Sequence, residues 1–133
     1  EGLQTLEVRV GERLMMLAIL ATARAHDSQY DWTMHEPRAL EAGLEPKVID
    51  ILRHRRSLDG LDEKDSALIA FARELFGDHN VGADTYARAA SAFGEPDLVD
   101  IVALMGAHAA DAAVLAALDQ QLPAGREALL PLP

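Results

Sequence analysis

The chain has 133 residues, half of them apolar and 26% charged, with 22 acidic against 12 basic side chains and a formal charge of -10. That balance excludes a disordered polyelectrolyte and fits one folded domain, residues 1–133, with a core of its own; the acidic excess excludes a surface that neutralises rows of phosphates, so no nucleic-acid partner is expected. Cysteine is absent, which removes disulfides, thiolate nucleophiles and sulfur-ligated zinc.

No apolar run approaches the ~20 residues of a membrane span, and no membrane partner is expected. The opening EGLQTLEVRV has no charged region followed by an apolar one, so no secretory signal is read and a cytoplasmic location is expected. With no initiator Met, the chain reads as trimmed or partial at its start.

Glycines, prolines and caps divide the chain into about six helices. The first runs from about Gly11 to Ala25 and is apolar nearly all round, the mark of a central buried helix. Asp27 or Ser28 caps the second, Gln29 to Ala42, which Gly43 stops; Pro37 inside it predicts a kink or a loosened turn around Thr33 to His35. Pro46 opens a short third helix to about His54. The basic run Arg53-His54-Arg55-Arg56 reads as a helix end with cations on its carbonyls. Asp62-Glu63-Lys64-Asp65 starts the fourth, with Leu68, Ile69, Ala72, Leu75 and Phe76 on one stripe. The fifth spans Ala83 to Phe93, and the sixth begins near Glu95-Pro96-Asp97 and extends toward Gln121. The remainder, 122–133, reads as an extended strap rich in leucine and proline. No strand pattern is present: the predicted architecture is all-α and single-domain.

Two polar pairs interrupt these helices. Asp31 and His35 lie four apart, on one face, among Tyr30, Trp32 and Met34. A carboxylate one turn from an imidazole orients the ring and raises its basicity; an ordinary surface pair is the competing reading. His108 falls on the stripe Leu98, Ile101, Val102, Met105, Ala109, Ala112 and Leu115, with Asp111 at its margin. It reads as a core histidine or, given the small residues from Gly106 to Ala113, as one beside a hollow. Facing one another, the two pairs would supply two imidazoles and two carboxylates, yet no spacing is diagnostic of a metal and none is assigned. His26, His54 and His79 lie in polar or terminal contexts, and no GxSxG or Gly-rich phosphate loop occurs.

The segment SQYDWTMHEPRALEAGL, Ser28 to Leu44, resembles the carboxymuconolactone decarboxylase family in Tyr30-Asp31-Trp32, His35, Ala39 and Gly43-Leu44. The likeness extends from about Arg13 to Pro133 and implies an alkylhydroperoxidase D-like helical fold and a homotrimer or homohexamer. It also implies one of two chemistries. The peroxidase branch uses CxxCxxxH; here Ser28 and Asp31 stand at the cysteine positions and His35 at the histidine, so thiol peroxidase chemistry is excluded. The decarboxylase branch needs no thiol: carbon dioxide leaves and the enolate is protonated. This chain departs from the family at Met16, where glutamate is usual, at Asp31, where glutamate is more common than aspartate, and at His108, where a neutral residue is common. Natural divergence and deliberate rebuilding of the pocket both fit these departures.

The expectation is therefore a pocket enzyme performing decarboxylation or proton transfer beside a carbonyl or lactone of a small-molecule substrate, with no cofactor. His35 is the acid or base, Asp31 its orienter and His108 the second proton-transfer or oxyanion group; Trp32, Tyr30, Met16, Met105 and Asp111 are the substrate-binding residues. A non-catalytic homo-oligomeric scaffold holding a small apolar ligand and a His/Asp metal site are the alternatives.

Overall fold

A computed structural model describes residues 5–133 as a single compact all-α domain, with no strand among them. Seven helices follow one another: α1 Leu6–Val10, α2 Glu12–Ala25, α3 Gln29–Glu41, α4 Pro46–Arg53, α5 Glu63–Gly77, α6 Ala83–Phe93 and α7 Glu95–Ala117. The unexpected one is α1. It has five residues, none buried, and so no apolar periodicity to read; the Thr5 hydroxyl caps it by accepting from Val8 N, and Gly11, at φ 89°, turns the chain into α2. Arg9 of α1 pairs with Asp97 and Asp100 in the first turns of α7.

Every residue of α2 from Met16 to Arg24 is buried, as a helix apolar nearly all round predicts. Helices α1, α3, α4, α5 and α7 all pack against it. Helix α3 continues through Pro37, and α7 ends at Ala117, four residues before the expected limit. The stripe Leu68, Ile69 and Ala72 of α5 and Leu98, Ile101 and Met105 of α7 join the same core.

The end of the chain is an extended strap across α3. The Gln29 side chain holds Leu130 at both ends of its backbone, accepting from its N–H at 2.9 Å and donating to its carbonyl at 2.6 Å. Thr33 accepts from Leu129 N–H at 3.1 Å, and Arg53 donates to the Leu129 carbonyl. Leu130 is thereby buried in the core.

The expectation that no stretch is long and apolar enough to cross a bilayer needs correction. The 23-residue α7 has a window of mean hydropathy 1.7, sufficient by length and composition, and only 22% of that window is buried. In this fold its inner face packs on α1, α2 and α6.

One ion pair fixes the start of α2 to α5. Asp65 is buried, and both of its oxygens accept from the Arg13 guanidinium, at 2.9 and 2.7 Å, a two-pronged pairing that also engages Glu45. Removing the cation leaves a buried carboxylate without its partner, although Arg13 itself is partly hydrated. Arg13→Met is therefore expected to cost about 2–3 kcal/mol in urea unfolding, and adding Asp65→Asn to recover part of that loss.

Candidate functional site

Helices α3 and α7 both lie on α2, and their inward-turned ionisable groups meet. The rings of His35 and His108 sit edge to face, 5.5 Å between centroids and 83° between planes. Asp31, one turn before His35, is buried, and its charge is felt by both rings; Asp111 lies within electrostatic reach at the exposed end of the group. Two histidines and one enclosed carboxylate therefore form one cluster, built by two helices that the sequence places 73 residues apart at positions 35 and 108.

The orienting contact differs from expectation. His35 Nδ1 lies 2.7 Å from the backbone carbonyl of Asp31, not against its carboxylate. A carbonyl only accepts, so Nδ1 carries the proton and the neutral ring presents its Nε2 lone pair outward. Any residue at position 31 would supply that oxygen. The carboxylate is left with Oδ2 buried and without a hydrogen-bond partner, and His108 Nδ1 is in the same condition.

Burial pushes the Asp31 carboxyl above the usual range, against the pull of His35 and His108. Burial likewise pushes the His108 imidazole down, opposed by Asp31 and reinforced by His35, so its neutral form is favoured.

The other predicted binding residues divide. Trp32 is wholly enclosed; its Nε1 donates to Glu36 at 2.7 Å and the Arg53 guanidinium lies over its ring at 5.7 Å, so it belongs to the core face of α3. Met16 and Met105 are also enclosed in the core. Tyr30 is half-buried and lines a cleft of about 140 Å³ with His26, Ser28, Ala112, Leu115 and Asp119. None of Asp31, His35, His108 and Asp111 lines that cleft. Among the described residues no three His, Asp or Glu side chains gather as metal ligands, and the two Asp–His pairs do not form such a set.

Sequence reasoning did not single out Arg24 or Gln29. Arg24 is buried near the end of α2, bonded to the carbonyls of Arg53 and Pro131 and to Asp27. Its signal was an arginine in an otherwise apolar run. His26 Nδ1 donates to the Thr22 carbonyl, 2.8 Å away, and the ring packs edge-on against Phe76.

Compared with known proteins, the chain matches no family model, no curated protein sequence and no solved structure.

The lowered imidazole gives a pH signature. Above about 6.5, the ordinary value, position 108 is neutral in both folded and unfolded chains. Below it the unfolded chain takes up a proton first, so stability falls as pH drops toward the lower folded value. His108→Gln is expected to lose less stability than wild type between pH 8 and pH 5 in urea titrations, and NMR titration of the wild-type ring is expected to give a midpoint below 6.5.

Proposed function

We propose that the chain is a pocket enzyme of the carboxymuconolactone decarboxylase kind, moving protons beside a carbonyl or lactone of a small organic acid. The observation that carries this reading is the meeting of His35 and His108 at 5.5 Å beside a buried, partnerless carboxylate oxygen. Unsatisfied buried polar atoms cost about 1–3 kcal/mol each, a cost that packing alone gives no reason to retain. The resemblance around Tyr30-Asp31-Trp32 and His35 points to the same chemistry.

His35 is the acid–base group: its Nδ1–H is held by the Asp31 carbonyl, leaving Nε2 free to take or give a proton. In decarboxylation the carbon–carbon bond breaks, carbon dioxide leaves, and the electron pair passes to the carbonyl as an enolate. His35, protonated at Nε2 from solvent beforehand, then gives that proton to carbon and ends as the neutral ring. His108, neutral at pH 7, donates a hydrogen bond to the enolate oxygen from its protonated nitrogen.

A second reading, a homo-oligomeric scaffold, is favoured by the outer face of α7, where Val99 and Val114 are exposed, with Leu118 just beyond its end. Assembly as a trimer or hexamer is compatible with catalysis.

On a panel of small β-keto and lactone acids followed by NMR, His35→Gln and His108→Gln are expected to lower turnover by about 10²-fold or more. Turnover unchanged in both variants overturns the mechanism. Light scattering of wild type and Val114→Glu tests the scaffold reading, for which the variant is expected to shift toward monomer.

A further inference from the structure

A second cleft lies between α2, α4 and α5, separate from the imidazole pair. A cleft of about 320 Å³ opens there, within the range of small-molecule sites. Its floor is apolar, formed by Leu52 and Ile69 with Ala21, Ala25 and Ala72, and the three alanines leave the space. Its walls carry three guanidinium groups, Arg24, Arg55 and Arg73.

Two of these three cations share one carboxylate. Asp27 accepts from both Arg24 and Arg55. Arg73 is half-buried and donates only to carbonyls, those of Arg56 at 2.9 Å and Ile51 at 3.4 Å, and forms no ion pair among the described residues. The nearby Asp50 is occupied by Arg53, His54 and Arg56. Arg24 is buried and its Nε has no acceptor. In a chain of net charge -10, this cleft thus concentrates two positive charges in excess of its carboxylate, against an apolar floor. Burial and the neighbouring Arg55 both disfavour the Arg73 charge, a penalty that a bound anion would relieve.

We infer that this cleft binds a small organic carboxylate, its apolar body on Leu52 and Ile69 and its carboxylate beside Arg73. Guanidinium suits a carboxylate because its planar donors match the two oxygens. An inorganic anion would leave the apolar floor uncovered.

The inference is independent of the proposed catalysis. Calorimetry with 2-naphthoate, and with 2-naphthamide as its uncharged equivalent, tests it. Wild type is expected to bind the acid about tenfold or more tightly than the amide. Arg73→Gln keeps donors for the two carbonyls but removes the charge, and is expected to erase that preference. Ala25→Leu fills the cleft from an exposed position and is expected to abolish binding of both probes with the fold intact by circular dichroism. Equal affinity for acid and amide, wild-type affinity in either variant, or no binding of the acid at millimolar concentration overturns the site and leaves the arginines as caps of helix ends. His35→Gln is expected to bind 2-naphthoate as wild type does, whichever way its turnover changes; a loss there moves the probe to α3 and also overturns the site.

Discussion

Nine consecutive buried residues, Met16 to Arg24, make α2 a helix with no face to give to water. Such a helix is stable only when covered all round, and that requirement arranges the rest of the chain. Helices α3, α5 and α7 supply most of the cover, α4 and α1 close the ends, and the strap locks α3 from outside through Gln29 and Thr33. Helices α3 and α7 both cover that central helix, and His35 and His108 reach one another from them, so the site follows from how the core is enclosed.

Much of this arrangement is legible in the sequence. Apolar runs, glycine stops and proline starts place six helices close to their observed limits, because each carries its own periodicity or cap. Helix α1 escapes that logic: it buries nothing, and it is held by Thr5, Gly11 and the pairing of Arg9 with α7, a long-range interaction that no local pattern encodes. The approach of position 35 to 108 is inferable only as a possibility, since spacing within a helix fixes a face and not its partner. Trp32 shows the limit of neighbourhood reasoning. It sits beside Asp31 in sequence but turns about 100° away on the helix, into the core with Glu36 and Arg53.

Charges at helix ends have a similar history. The basic run after α4 was read as cations resting on that helix's own carbonyls, and the structure distributes the task between elements. Arg55 reaches the Arg24 carbonyl of α2, Arg24 reaches the Arg53 carbonyl of α4, and Arg73 of α5 reaches back to Ile51 and Arg56. Each arginine satisfies orphan carbonyls of a different element. The exchange stitches three helices together and, because it draws three cations to one place, also produces the cleft between them.

Asp31 is the residue whose presence the fold does least to explain. The backbone oxygen at that position already orients His35, so the carboxylate is not needed for the ring's tautomer. Its burial is unfavourable, and one of its oxygens has no partner. An apolar residue would fill the space at lower cost, since replacing buried charge by well-packed apolar groups is often neutral or stabilising. The buried stretch of α2, Met16 to Arg24, carries no carboxylate. The negative charge available to the imidazole pair from inside the protein is therefore that of Asp31, one turn from His35 on the same helix. Under the proposed acid–base chemistry, the cost of enclosing this carboxylate has a use that packing alone does not supply.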